Sequence, residues 1–226
     1  FLTVRENQVE EALEDISKNK SPNVVTMVNT IKPYGRWEKI CGKGRILPAF
    51  PGAGGCIEGG ILDAQLLPRA IQPTTFGEIG GRKSSREEAL AYIFRKSHIP
   101  YQIVPEMHHW QISHLGVIIP LADAYYQSRH PEKICANEKL MTLTAYRMKK
   151  NLKWIAQKGM LCPAKLYMIK DMPTGMLAGV LSRVYQSEFG NRFLYRHAMH
   201  APEEFQRLHQ EFYNYMKTHT KESNKA

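Results

Sequence analysis

The chain has 226 residues, of which 43% are hydrophobic and 23% charged, an ordinary globular composition with enough material for one large domain or two small ones. No apolar run approaches the roughly 20 residues that a bilayer span needs, and no charged-then-apolar leader is visible, so no membrane partner and a cytoplasmic location are expected. The net charge is +10, and nine Lys or Arg between Lys133 and Lys170 face a single acid, Glu138. Such a stripe is either a solvated helix face or a surface for a phosphate-bearing ligand. With no nucleic-acid motif and no aromatics interleaved among the basic residues, no nucleic-acid partner is expected.

Phe1 to Val4 reads as the end of a strand, followed by a helix with Val9, Ala12, Leu13 and Ile16 on one face. Arg5, Glu6, Asn7 and Gln8 lie between the two, at the carboxyl end of the strand, where open α/β sheets bind ligands. Ser21 to Asn23 form a turn, and Val24 to Asn29 a buried strand ending on Asn29. A short helix is predicted over 34–40 and a further strand over 45–50, with Pro48 placing it near an edge or an irregularity. Glycines cluster in "PGAGGCIEGG", and "PRAIQPTTFGEIGG" carries two short β-like runs separated by a turn. Ser84 with Glu87, or Ser85 with Glu88, gives a capping box for a helix that buries Ala89, Leu90, Ile93 and Phe94. A short strand at Tyr101 to Val104 closes this alternating region.

From Pro105 onward the periodicity is almost wholly helical. A long apolar helix passes through Trp110, Leu115, Val117 and Ile118, with a kink expected at Pro120. Another carries Met141, Ala145, Met148, Leu152 and Ile155. A third follows Pro173, and a last one opens at Pro202 and buries Phe205, Leu208, Phe212 and Tyr215. The end, "TKESNKA", reads as disordered. The expected fold class is therefore α/β plus all-α, with a partial α/β domain over 1–104 and an all-helical domain over 105–226.

Cys41, Cys56, Cys135 and Cys162 are far apart and form no CxxC pair, so reduced thiols are expected and no zinc site. His108, His109 and His114 lie near Glu106, and His197 and His200 are three apart, but there is no HExxH and no third ligand, so no metal is expected. The glycines at 52–60 do not give GxGxxG, and "CGKGR" lacks the spacing and the Ser or Thr of a phosphate-binding P-loop.

Several segments together resemble the ketopantoate reductases (2-dehydropantoate 2-reductases). "VRENQVEEAL" resembles their strand ending in a basic residue three positions before a glutamine, and "VTMVNT" their next strand, which ends in asparagine. "FPGAGGCIEGG" through "IQPTTFGEIGG" resembles the strands that close their cofactor domain. "EEALAYIFRKSHIPYQIVPEMHHWQISHLGVIIPLADA" resembles their passage into the helical domain. The resemblance covers about residues 1 to 130 well and the rest in outline. It implies the C-terminal part of a Rossmann-type dinucleotide-binding domain, followed by a helical domain of the 6-phosphogluconate dehydrogenase C-terminal type. It also implies that the glycine fingerprint lies upstream of Phe1, so that this chain is a fragment not active by itself, with NADP bound only in the full-length protein.

By the same resemblance Arg5 and Gln8 bind cofactor, Arg5 standing where the family has a lysine near phosphate and ribose. Each is otherwise an ordinary exposed residue of a first turn. Asn29 matches the asparagine that contacts cofactor and substrate near the reacting carbon, and an amide can donate to one and accept from the other. A turn-forming Asn is the alternative. The family's catalytic lysine falls on Ile112, between Gln111 and Ser113, none of which donates a proton as lysine does. His114 is the candidate substitute acid that suits neutral pH, although two residues along a helix turn it through roughly 200°, and a structural or surface histidine is the alternative. Glu188, in "YQSEFG", corresponds to the family's late glutamate on the substrate hydroxyl. The expected activity is hydride transfer from NADPH to a 2-oxo acid or related carbonyl, with a homodimer expected because a sheet lacking its first strands leaves an open edge. The alternatives are a non-catalytic nucleotide-binding protein of this fold and a helical dimerisation module.

Overall fold

The computed structural model describes residues 1–223 and shows a mixed α/β protein with a small mixed sheet and many helices. The strands are β1 (Val24–Met27), β2 (Ile46–Phe50), β3 (Ala53–Glu58), β4 (Ile61–Leu66), β5 (Thr74–Phe76) and β6 (Tyr101–Ile103). The helices are α1 (Val9–Ser17), α2 (Gly35–Cys41), α3 (Ser85–Lys96), α4 (Met107–Gln127), α5 (Glu138–Gln157), α6 (Lys165–Asp171), α7 (Thr174–Gln186), α8 (Arg196–His200) and α9 (Pro202–Ser223). Two compact units divide the chain, one made of Phe1–Ala53 and Gln65–Gln111, the other of Gly54–Ala64 and the residues from Ile112 onward.

The first unit holds a four-stranded sheet in the order β1-β2-β5-β6. β1 and β2 are parallel, with Val24 opposite Ile46, while β2 and β5 are antiparallel and β5 and β6 parallel. Leu47, Ala49 and Phe76 from the sheet meet Leu90, Ala91 and Phe94 of α3 in a buried cluster. The buried stripe of α3 is thus Glu87, Leu90, Ala91 and Phe94. Ile93, expected inside, is 48% exposed, because the i, i+3, i+4, i+7 face that begins at the buried capping residue Glu87 leaves it on the flank.

Three local expectations change. The opening strand contracts to a single bridge, Leu2 to Thr26, because the backbone enters a 3₁₀ turn at Glu6–Gln8. The strand expected to reach Asn29 stops at Met27, and the Val28 carbonyl accepts from the Gln111 side chain at 2.8 Å instead of from a neighbouring strand. β2 is an interior strand, and Pro48 is tolerated because it lies where the antiparallel ladder gives out, its carbonyl accepting from Gly77 N–H at 3.2 Å.

The glycine-rich stretch forms the β3–β4 hairpin. Gly59 and Gly60 both have positive φ, +57° and +80°, which is what a two-residue type I′ turn demands. Residues 54–64 of this hairpin belong to the second unit. There the Asp63 carboxylate pairs with Arg192 and lies 3.6 Å from Arg196, and Phe193 packs directly over Gly54.

The rest of the second unit is helical. α5 buries Met141, Ala145, Met148, Leu152 and Ile155 as expected, and packs against α6 and α7. Gly116 of α4 admits Ile155 closely, and its carbonyl accepts from the buried Asn151 amide at 3.2 Å. α4 continues through Pro120. A 3₁₀ segment at Pro131–Ala136 and a six-residue π-helix at Gly190–Tyr195 join the longer helices. In the latter, a side chain at Gly190 would collide with the Val184 carbonyl. The stretch expected to be disordered from Thr220 is helical through Ser223, and residues 224–226 lie outside the described residues. No described helix is long and apolar enough to cross a membrane.

The capping box at Ser84 and Glu87 forms as expected and is part of a larger polar cluster. The Ser84 hydroxyl donates to Glu78, and Glu87 Oε1 accepts from the Glu78 N–H at 3.0 Å. Arg86 pairs with the Glu78 carboxylate and also donates to the carbonyls of Gly44 (2.6 Å) and Ile46 (2.9 Å). Burial pushes the Glu78 carboxyl up, but the hydrogen bonds from Arg86 and Ser84 and the Arg86 charge outweigh it and hold the group below its ordinary range. Arg86→Met strands a carboxylate and two carbonyls at once. It is expected to lower stability by about 3 kcal/mol in urea unfolding at neutral pH, and a loss below about 1 kcal/mol would mean that solvent already screens the pair.

Candidate functional site

One set of polar residues of the first unit converges on the loop that follows β1. Val28 to Tyr34 is tied down from two directions. On one side, Gln111 Nε2 donates to the Val28 carbonyl (2.8 Å), Gln111 Oε1 accepts from the Tyr34 hydroxyl (2.9 Å), and the His108 ring nitrogen bonds the Ile31 carbonyl (2.8 Å). Burial, and then the charge of Glu106, pushes the Tyr34 hydroxyl well above its usual range, so it stays a neutral donor.

On the other side stands Glu6, a carboxylate only 5% exposed. It pairs with Arg36 and, at 3.3 Å, with Lys32, while Arg36 also meets Glu10 at 2.9 Å. Thr30 Oγ1 accepts from the Lys32 N–H (3.1 Å) and lies 3.4 Å from Arg36. A buried carboxylate requires such compensation, because an unpaired charge there is costly. In the sequence Glu6 is merely a neighbour of Arg5, and Gln111 a poor substitute for lysine. The spacing of Lys32 and Arg36, four apart and flanking a helix start, was the available signal.

Asn29 projects from the loop so held. Its side-chain Oδ1 is buried and has no hydrogen-bond partner among the described residues, and the same is true of Thr26 Oγ1, Arg36 Nε and Trp37 Nε1. An unsatisfied buried acceptor costs about 1–3 kcal/mol, and natural structures retain one where a ligand, ion or water supplies the donor. Arg5 and Gln8 are exposed and bonded to each other, the Gln8 side-chain oxygen accepting from the Arg5 N–H at 3.2 Å. That bond consumes the Gln8 acceptor but leaves its amide donors and the Arg5 guanidinium uncommitted. A ligand with a donor for Asn29 and an anionic group for Arg5 suits these side chains.

The two remaining expected residues, His114 and Glu188, belong to the second unit. His114 lies on α4, partly buried, and burial followed by the charge of His197 pushes it down to about 3. At neutral pH it is an uncharged imidazole, which can offer an N–H but not the imidazolium proton that the acid role calls for. Glu188 is exposed, just after α7. Ile112, at the position of the family's lysine, is fully buried. His197 is itself pushed down by burial, with Glu204 opposing and His200 reinforcing the shift. His209 Nδ1 lies 3.0 Å from both oxygens of Asp123, whose carboxyl burial pushes up. No group of three or more metal-ligating side chains occurs among the described residues.

No protein-family model matches this chain, and neither does any curated protein. The residues themselves carry the reading of the site.

Folded His114 takes up a proton only at about 3, against 6.5 when exposed, so as pH falls the unfolded chain is protonated first. The stability contributed by the neutral ring is whole above pH 6.5 and is lost progressively from there down to about 3. In His114→Gln the decline of urea-unfolding stability between about pH 6.5 and 4.5 is expected to be shallower, by up to about 1.4 kcal/mol per pH unit. Equal slopes for the two proteins would mean that His114 is protonated in the folded state.

Proposed function

We propose that this chain is part of a ketopantoate-reductase-like, NADP(H)-dependent oxidoreductase of the cytoplasm that acts on a 2-oxo acid or a related small carbonyl compound. In this reading the first unit is the rear of a Rossmann-type cofactor domain and the second a helical domain of the 6-phosphogluconate dehydrogenase C-terminal type, within a homodimer. The observation that carries the proposal is the unpartnered Oδ1 of Asn29 at the carboxyl end of β1, at the position where the resemblance puts a cofactor and substrate ligand.

NADPH, when bound, supplies the hydride. Asn29 accepts through Oδ1 and donates through Nδ2, which orients two groups at once. Arg5 neutralises an anionic group of the cofactor, and the Gln8 amide donates beside it. Reduction of a carbonyl also consumes one proton. With Ile112 apolar and His114 uncharged at neutral pH, that proton comes from solvent.

The same two residues favour a second reading, a protein of this fold that binds a nucleotide or a partner helix without catalysis. Both readings use Asn29, and only the first requires turnover of a 2-oxo acid.

Asn29→Ala removes an acceptor that satisfies nothing in the protein. Thermal stability of the variant is expected to be unchanged or slightly raised, while NADPH binding by the whole gene product, read by fluorescence titration, weakens at least about tenfold. Unchanged binding with a clear loss of stability would show that Asn29 merely shapes a turn.

A further inference from the structure

We infer that the second unit carries a binding site for a small phosphate-bearing anion, in a cavity at the start of α5. The cavity has a volume of about 770 Å³ and is lined by residues between Gln127 and Lys139, among them Arg129, Lys133, Asn137, Glu138 and Lys139. It draws on no residue of the proposed cofactor site.

Some cations of the basic stripe are engaged within the protein, while others, such as Lys150 and Lys153, are exposed. Further along, Lys149 donates to the Met172 carbonyl, Lys158 donates to the His219 carbonyl at 2.8 Å, and Lys170 pairs with Asp171 at 2.6 Å. Around the cavity, by contrast, the side chains of Arg129, Lys133, Lys139 and Glu138 make no hydrogen bond or ion pair among the described residues. Among the residues that line the concavity, three cations and one carboxylate leave +2, and Glu132, 3.5 Å from His130, lies just outside that lining.

A dianion matches that surplus, whereas a single carboxylate leaves half of it uncompensated. A guanidinium presents a fork suited to two phosphate oxygens, and two ammonium groups act as point charges that follow the remaining ones. The Asn137 side-chain oxygen accepts from the Leu140 N–H at 3.1 Å, which leaves its amide hydrogens free to donate. No Phe, Tyr or Trp lines the cavity, so bases find no stacking surface and a nucleic-acid strand is disfavoured. The ligand class is therefore a compact phosphate ester or diphosphate.

Calorimetric titration of the chain with pyrophosphate tests this, using two variants of equal charge loss. Lys133→Met/Lys139→Met empties the cavity of two cations, while Lys150→Met/Lys153→Met removes two exposed cations of α5 that do not line it. Binding is expected to weaken at least about tenfold in the first and to stay within about twofold in the second. All four lysines are exposed, so both variants fold, and an unchanged melting temperature verifies that. Equal weakening in the two variants overturns the proposal by reducing the effect to net charge. So does the absence of binding at about 1 mM pyrophosphate, or tighter binding of oligothymidylate than of pyrophosphate.

Discussion

The buried carboxylate of Glu6 is the constraint on which the first unit's polar architecture depends. A charge removed from water must be met by other charges, and Lys32 and Arg36 meet this one. Both cations lie just beyond the end of β1, on the loop and at the start of α2, so neutralising Glu6 also fixes the path of the chain between them. Thr30 and Glu10 extend the same network, and Gln111, Tyr34 and His108 hold the loop from its other side. A loop with so many fixed points leaves Asn29 little freedom to turn its amide toward water or backbone. That rigidity explains how an unsatisfied acceptor survives, and it is the pre-organisation a ligand site needs.

Much of the element pattern was legible in the sequence. The helical half announced itself through long apolar periodicities such as Met141 to Ile155, and the α3 capping box through Ser84 and Glu87. What escaped was long-range. Nothing local says that the opening strand reduces to Leu2, because that depends on where the 3₁₀ turn after Val4 begins. The β3–β4 hairpin was hidden by glycines that suppress strand propensity, although its two-glycine turn was a signal in plain view. Its Asp63, paired with Arg192, could not be matched to a partner so far along the chain.

The candidate site divides in the same way. Asn29 stands out in the sequence because a strand end and a resemblance point to it. The residues that hold its loop were missed because Glu6 and Gln111 look like surface polar residues in sequence, and only the fold buries them, leaving them 5% and 1% exposed. His114 is the opposite case. Its unperturbed chemistry suits an acid, but burial removes the charge that the role needs. Ile112 is apolar and packed inside, so it offers no proton.

The central claim is that the side-chain amide of Asn29 is a ligand contact, which NMR reads directly. In the whole gene product labelled with nitrogen-15, adding NADPH is expected to shift the Asn29 side-chain resonances and those of the Val28–Tyr34 backbone, with saturation at one ligand per chain. NADPH-induced shifts confined to other parts of the protein, or none at all at saturating cofactor, would contradict the claim and leave this loop a purely structural element.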